Sequence, residues 1–231
     1  SSVHSYIECI KNGYICAKGG HRVGICGSGA IKDDRINSLK NFSSVNLRIA
    51  REKKGISDFL IKKIVDNNQV INTLIVSPPG IGKTTLLRDI IRNISNGNGC
   101  SPKRVSVADE RGELAAMHLG KPQFDLGRQS DILDGVKKAQ AIDILLRSMS
   151  PDVIAVDEIT CKEDVQAIEG AMYCGVSLIA TAHAYRMEDF FLRPVYKMLR
   201  ELNVFKNIIF IEKEDGQRKY ILSKTEKDEN V

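Results

Sequence analysis

Residues 77–85 read Ser77-Pro78-Pro79-Gly80-Ile81-Gly82-Lys83-Thr84-Thr85. An apolar run at 70–76 precedes them, and a stretch with helical periodicity follows at 84–94. A strand, a glycine-rich turn containing Gly-Lys-Thr and a helix form the context of a phosphate-binding loop, in which backbone N–H groups and the helix N-terminus face an anion. The segment therefore predicts a nucleotide-phosphate site and an α/β fold around it.

The residue types of this loop match the chemistry of phosphate binding. Lys83 is expected to neutralise β- and γ-phosphate oxygens, and the Thr84 hydroxyl is expected to bind Mg²⁺. Ser77 stands where the strict eight-residue pattern has glycine, and an ordinary strand–helix turn rich in proline and glycine is the alternative. The predicted nucleotide-binding residues are Pro79, Gly80, Ile81, Gly82, Lys83, Thr84 and Thr85.

A second segment supplies the acids that nucleotide hydrolysis requires. Residues 151–156 form a run typical of a buried strand, and Asp157 and Glu158 follow it directly. Because neighbouring side chains at a strand end point in opposite directions, two acids can do two jobs there. We assign Asp157 to the metal, together with Thr84, and Glu158 to activation of the attacking water. A strand that runs into a solvated acidic turn is the alternative.

Two further predicted strands end in polar residues, and the carboxyl ends of parallel strands share one crevice. Asp109, Glu110 and Glu113 follow the strand at 104–108, where they would touch Mg²⁺, water or a cationic neighbour. His183 follows the strand at 177–180 and is a candidate sensor of the γ-phosphate. A solvated acidic loop and a structural histidine are the alternatives. The predicted catalytic residues are Glu158, Asp157, Glu110 and His183.

Phosphoryl transfer gains from a cation near the γ-phosphate, often an arginine of another subunit. Residues 1–70 hold twelve Lys/Arg against six Asp/Glu, so the excess base precedes the phosphate loop. We favour Arg48 and Arg51 as trans arginines because they lie on or just after a strand of this basic region; a solvated strand edge is the alternative. The full set of candidates is Arg22, Arg48, Arg51, Arg111, Arg128 and Arg147.

Composition narrows the class of protein. Apolar residues make up 42% and charged residues 27% of the 231 residues, as in a globular protein. No apolar run approaches the ~20 residues of a membrane span. The six cysteines include no C-x-x-C pair, which favours reduced cytosolic thiols over a zinc site or a disulfide framework. The chain opens on Ser1 rather than Met, which predicts a fragment or a processed chain.

The sequence pattern changes near residue 55 and predicts two domains. Residues 1–55 read as a small, partial N-terminal domain of α+β type, β-rich, with a two-residue hairpin at Gly19-Gly20 and a half-buried strand at 45–49. Residues 56–223 read as an α/β domain with a mainly parallel sheet, closed by a hairpin at Asp215-Gly216, and residues 224–231 as a disordered tail. The predicted strands lie at 70–76, 104–108, 153–156 and 177–180, and the predicted helices at 84–94, 136–149 and 163–173.

The motifs resemble those of the type II secretion and type IV pilus ATPases. Residues 146–159 are similar to the second acidic motif of those motors, residues 175–183 to their histidine box and residues 105–113 to their aspartate box, although Asp157 stands where they usually have glycine. Together with residues 19–24 and 46–52, these segments more closely resemble the stage III sporulation protein AA family, over most of residues 19–185.

The predicted strand at 104–108 lies between the phosphate-loop strand and the acidic strand in the sequence, and this order suggests the RecA-like branch, in which an extra strand is inserted between the two. The resemblance implies an ATPase with such a core. It implies that the protein uses ATP and Mg²⁺ and works as a homo-oligomer, a ring hexamer. It also implies a cytoplasmic protein on the mother-cell side, recruited to the membrane by channel proteins of the sporulation apparatus, with no nucleic acid among its partners.

Two other functions remain open. A nucleic-acid-stimulated ATPase would share this core and its basic N-terminal region, but that region has few aromatic residues on which bases could stack. A scaffold that binds nucleotide only to assemble would not need the acid at Glu158.

Overall fold

The fold is described from a computed structural model, in which residues 13–32 and 35–225 are described here. They divide into two compact units. The first lies within Ser1–Glu52 and Ala115–Asp125, and the second lies within Lys53–Leu114 and Leu126–Val231. No helix in this part of the chain has the length and apolar character needed to cross a membrane. Of the predicted tail, Lys224 ends a strand and the Thr225 N–H donates to the Lys206 carbonyl, whereas residues 226–231 lie outside the described part.

The first unit contains an antiparallel sheet of three strands in the order β1-β2-β3. The segment Ala115–Asp125 belongs to the same unit: the Gly19 N–H donates to Gln123 Oε1 at 2.8 Å. A Cβ at Gly20 would lie 2.6 Å from the Phe124 ring, so the close approach requires glycine. The strands are β1 (Tyr14–Ala17), β2 (His21–Lys32) and β3 (Arg35–Arg48).

Two predictions for this unit were wrong in detail. The hairpin between β1 and β2 pairs Ala17 with His21, so its turn has three residues rather than two. Val45, Leu47 and Ile49 alternate with polar residues as predicted, but their side chains are exposed, not half-buried. The alternation indicates that the strand has one apolar and one polar face. It does not indicate whether other residues cover the apolar face.

The second unit is built on a seven-stranded sheet with helices packed against it. The strands of this unit are β4 (Val65–Asp66), β5 (Gln69–Val70), β6 (Thr73–Ser77), β7 (Val105–Asp109), β8 (Ser130–Asp134), β9 (Val153–Val156), β10 (Ser177–His183), β11 (Asn207–Glu214) and β12 (Gln217–Lys224). The helices are α1 (Asp58–Ile64), α2 (Lys83–Asn96), α3 (Lys138–Met149), α4 (Lys162–Tyr173), α5 (Met187–Leu192) and α6 (Pro194–Glu201).

Strand order in this sheet confirms the predicted α/β, RecA-like architecture. The order is β12-β11-β6-β10-β9-β7-β8, parallel throughout except for the β11–β12 hairpin. Strand β10 therefore lies between β6, which leads into the phosphate loop, and β9, which leads into Asp157. Every residue of β6, β7 and β9 is buried, which explains their continuous apolar character.

A buried carboxylate, Asp89 on α2, ties the start of the second unit to the phosphate-loop helix. It accepts hydrogen bonds from the Ser57 N–H and Ser57 Oγ, both at 2.8 Å, from the Gly55 N–H at 3.0 Å and from Arg92 Nε at 2.8 Å. Ser57 is the N-cap of α1, but its side chain makes no capping hydrogen bond to that helix. Burial would raise the pKa of Asp89, but these donors outweigh it and leave the pKa below its ordinary value.

We expect Asp89→Ala to lower the free energy of unfolding by about 3 kcal/mol at pH 7, because Arg92 and the Ser57 donors would lose their partner. Since the folded state lowers this pKa, the stabilisation is present above the unfolded pKa and is lost as the pH falls through the folded pKa. Urea denaturation at pH 7 and pH 3 measures both effects. Asp58→Ala, at an exposed carboxylate of the same network, is the control and should cost less than about 1 kcal/mol. An equal loss in the two variants would contradict the assignment.

Candidate nucleotide site

The segment between β6 and α2 has the backbone of a loop that wraps a small anion. Gly80 and Gly82 adopt φ angles of 76° and 114°, which side-chain-bearing residues rarely adopt. Lys83 is the first residue of α2, so the N-terminus of that helix opens onto the loop. Backbone N–H groups in a turn before a helix N-terminus provide an anion-binding concavity.

The Lys83 ammonium lies within this loop and is buried. Its Nζ lies 3.3 Å from the Ser77 carbonyl oxygen, 3.3 Å from the Pro78 carbonyl oxygen and 2.7 Å from His183 Nδ1. Burial lowers the pKa of Lys83 to about 8, although the charges of Asp157 and Glu158 partly offset that effect. A protonated lysine can only donate, so His183 Nδ1 is the acceptor and its ring proton is on Nε2.

That tautomer places His183 between Lys83 and Glu158. His183 Nε2 lies 3.2 Å from Glu158 Oε1, and the other carboxylate oxygen, Oε2, accepts from Arg111 at 2.8 Å. Glu158 therefore has one neutral and one cationic donor, and it remains partly exposed. Its φ angle of 53° is in the left-handed region, where a glutamate is uncommon. The Glu158 N–H donates to Thr181 Oγ1 at 2.8 Å, which holds this conformation.

Asp157 faces the threonine of the phosphate loop. Thr84 Oγ1 lies 3.2 Å from Asp157 Oδ2, and Thr181 Oγ1 donates to Asp157 Oδ1 at 2.7 Å. Burial raises the pKa of Asp157, and the carboxylates of Glu113 and Glu158 raise it further, against the hydrogen bonds from Thr181 and Thr84. A partly buried carboxylate beside other carboxylates and a hydroxyl group is a site at which a hard divalent cation would be favoured.

These oxygens would not hold a metal ion alone. Within residues 13–32 and 35–225, no group of three or more His, Cys, Asp or Glu side chains has the geometry of a metal site. Mg²⁺ typically takes one or two protein oxygens and completes its shell with water and substrate phosphates. The Thr84 hydroxyl and the Asp157 carboxylate fit that pattern.

Glu110 does not join this group of residues. Its carboxylate pairs with the buried Lys138 Nζ at 2.6 Å, and its contacts with described residues include none to Lys83, Asp157, Glu158 or His183. Lys138 also lies 3.9 Å from Asp164, at the start of α4. The catalytic role of Glu110 therefore stays a prediction without support from the geometry.

Asp109, the last residue of β7, organises the loop that follows it. Asp109 is buried and accepts hydrogen bonds from the backbone N–H groups of Glu113 and Leu114. Arg88 on α2 donates to the carbonyl oxygens of the same two residues. The loop is thus fastened to the phosphate-loop helix, and it carries Arg111 to Glu158.

The predicted arginines are distributed differently. Arg111 lies in the site, whereas Arg22 stacks on the Tyr14 ring at 4.3 Å in the first unit. Arg48 pairs with Arg22 across β2 and β3, and Arg51 is exposed after β3. Arg128 lies two residues before β8, and Arg147 lies in the last turn of α3. The trans role of Arg48 and Arg51 stays a prediction.

Sequence reasoning missed three side chains that shape the site. Thr181 bridges Asp157 and Glu158, and the Tyr196 hydroxyl accepts from the His183 N–H at 3.2 Å and lies 3.4 Å from the Ile159 carbonyl. Arg218 on β12 donates from Nε to the Ile81 carbonyl at 2.5 Å. Thr181 immediately precedes Ala182 and His183 on β10, so its place at a strand end was a usable signal. No local pattern marks Arg218.

Comparison with known proteins bears on the family. A family model described as "Sporulation stage III, protein AA" matches residues 1–227. The chain is 39% identical over 216 residues to the "Stage III sporulation protein AA" of Bacillus subtilis (strain 168), an alignment that covers 93% of this chain and 70% of that protein.

Solved structures bear on the fold. The Legionella pneumophila ATPase DotB superposes with a TM-score of 0.58 at 17% identity, over 87% of this chain and 57% of the DotB chain. The pilus retraction motor PilT, solved with bound ADP, superposes with a TM-score of 0.57 at 19% identity, over 90% of this chain and 61% of its own. The chain thus spans less than two thirds of either solved chain, and the likeness shows a shared secretion- and pilus-ATPase fold.

Proposed function

Because this chain belongs to the family of sporulation stage III protein AA, we propose that it is an ATPase that energises a sporulation-specific membrane channel between mother cell and forespore. One observation carries the enzymatic part of the proposal. Lys83, His183, Glu158 and Arg111 form a continuous series of polar contacts of 2.7, 3.2 and 2.8 Å at the mouth of a phosphate loop. A phosphate-binding cation and a water-activating carboxylate are thereby linked through one imidazole.

Binding would use the loop itself. Lys83 and the N–H groups of Gly80, Gly82 and Thr84 would bind the β- and γ-phosphates of ATP. The Thr84 hydroxyl and Asp157 would hold Mg²⁺, which supplies charge neutralisation at the phosphates when it is bound. A phosphate oxygen near Lys83 Nζ would compete with His183 Nδ1 for the ammonium protons. We infer that nucleotide binding loosens the Lys83–His183 contact.

Hydrolysis would use Glu158 as the group that orients and deprotonates the attacking water. Arg111 and His183 hold the two oxygens of its carboxylate, so the direction of its remaining lone pairs is fixed before substrate binds. Such preorganisation lowers the cost of reaching the reactive geometry. His183 donates from Nε2 to Glu158 and accepts at Nδ1 from Lys83. Through these two contacts it would sense whether a phosphate occupies the loop.

A neighbouring subunit would complete the site. Arg48 and Arg51 are exposed cationic residues of the first unit, and we propose that they contribute positive charge to the γ-phosphate of the next copy in a ring hexamer. The protein would act in the cytoplasm of the mother cell and reach the membrane through channel partners. A homo-oligomer built in this way has little activity as a monomer.

The test is ATP hydrolysis measured over a hundredfold range of protein concentration, with and without DNA. We expect the activity per mole of protein to rise with concentration and to be independent of DNA. Activity that requires DNA and disappears at high salt would instead indicate a nucleic-acid motor. Tight ATP binding without turnover at every concentration would indicate a nucleotide-dependent scaffold.

A further inference from the structure

Arg218 reaches the phosphate loop from a distant part of the sequence. Its Nε donates to the Ile81 carbonyl oxygen at 2.5 Å, and its guanidinium covers the backbone of Gly82. A Cβ built on Gly82 would lie 3.1 Å from Arg218 Nη2 and 3.3 Å from Cζ. The absence of a side chain at residue 82 thus lets the planar cation lie against the loop.

Strand register explains why Arg218 lies beside the phosphate loop. Phe210 of β11 pairs with Val76, so β11 extends past Ser77, the last residue of β6. Arg218 pairs with Lys213, three residues beyond Phe210, in the part of the hairpin that projects past the end of β6. The hairpin therefore stands beside the loop that follows β6.

The contact determines the direction of one backbone N–H. In a trans peptide the carbonyl of residue 81 and the N–H of residue 82 belong to one plane and point in opposite directions. Arg218 fixes the direction of the Ile81 carbonyl, and the Gly82 N–H therefore points the opposite way. Without a donor, this peptide could rotate more easily, because the residue that follows it is glycine, which places little restriction on φ.

We propose that Arg218 is a positioning residue for nucleotide: it fixes the Ile81–Gly82 peptide so that the Gly82 N–H binds the β-phosphate. The inference rests on the proposed nucleotide binding and adds a residue that acts in the same chain, without a neighbouring subunit. It assigns a function to the end of the β11–β12 hairpin that projects past β6.

The test compares the dissociation constants of ADP and AMP in the wild type and in Arg218→Gln, by isothermal titration calorimetry on the full chain with Mg²⁺. AMP has no β-phosphate, so it does not use the Gly82 N–H. We expect Arg218→Gln to weaken ADP binding about tenfold, the value of one hydrogen bond to a charged group, and to leave AMP binding within twofold. The preference of the protein for ADP over AMP would fall by the same factor.

Lys219→Gln is the matched control, since it removes the same charge from the next residue of β12. Lys219 pairs with Glu214 at 3.3 Å within the hairpin. We therefore expect Lys219→Gln to leave the affinities for ADP and AMP unchanged. Arg218→Lys tests geometry, because it keeps the charge without the guanidinium plane; it also replaces Arg218→Gln if that variant does not fold. We expect Arg218→Lys to recover at most part of the lost ADP affinity.

Four results would overturn the inference. An equal loss for ADP and AMP would indicate a general structural effect, and no loss for either would remove Arg218 from the site. Tighter ADP binding in Arg218→Gln would make the contact an obstacle that must open. If the wild type binds neither nucleotide, the proposed function fails and the role of Arg218 fails with it; if the wild type binds ADP normally, only the role of Arg218 is in question.

Discussion

Glu158→Gln is expected to bind ATP within threefold of the wild type and to hydrolyse it about a thousandfold more slowly, as loss of a general base does. Glutamine has nearly the same shape, so it can still accept from Arg111 through Oε1. What it lacks is the negative charge, the capacity to take a proton from water and the second acceptor oxygen, which in Glu158 faces His183 Nε2. Residue 158 adopts a φ of 53°, and glutamine meets the same steric restriction there as glutamate, so a local backbone change is not expected.

Single-turnover hydrolysis and equilibrium ATP binding, measured on the same preparation, separate the two effects. Glu201→Gln, at an exposed glutamate that ends α6, removes the same charge away from the site and should keep the wild-type rate. A Glu158→Gln protein that retains more than a tenth of the wild-type rate would remove Glu158 from the base role. A large loss of ATP affinity would instead make it a binding residue.

Lys83→Ala is expected to weaken ATP binding roughly a hundredfold, because two charge-assisted hydrogen bonds to phosphate would be lost. The same change should leave the unliganded protein at least as stable as the wild type. The Lys83 ammonium is buried, its pKa is lowered to about 8, and removing a desolvated charge relieves a cost of folding. Stability and binding thus move in opposite directions at one residue.

Thermal denaturation without nucleotide, and then with saturating ATP, tests this pair of effects. Wild-type protein should melt at a higher temperature when ATP is added, and Lys83→Ala should show a much smaller increase, because the stabilisation depends on the ratio of ATP concentration to dissociation constant. Lys62→Ala, at an exposed lysine of α1, is the control and should respond like the wild type. A Lys83→Ala protein that is stabilised by ATP as much as the wild type would contradict the role of Lys83.

Local patterns were enough for the parts of the site that follow strands. The phosphate loop, Asp157-Glu158 and His183 were predicted because a buried parallel strand is a continuous apolar run, and the polar residues after it must lie at one edge of the sheet. The hairpin at Asp215-Gly216 was predicted because Asp-Gly favours the positive φ angles of a two-residue turn. Both residues adopt such angles, 48° and 80°. The fold class followed from the alternation of such elements.

Contacts that depend on distant register could not be predicted in the same way. Arg218 lies 137 residues from its partner Ile81, and its position depends on how β11 pairs with β6. The pairing of Glu110 with Lys138 likewise depends on where α3 begins. Strand β8 escaped prediction because its sequence, Ser-Asp-Ile-Leu-Asp, is short, polar and only half-buried at the sheet edge.

The composition of the first unit restricts which chimaeras between members of this family can fold. The unit is built from two separate stretches of sequence, since Ala115–Asp125 belongs to the same unit as the described residues within Ser1–Glu52. Phe124, only 8% exposed, lies against Gly20 of the other stretch. Recombination at a single point near residue 52 would therefore transfer only one of the two stretches. Phe124 would then pack against a stretch from a different parent. A functional chimaera between relatives has to inherit both stretches from the same parent.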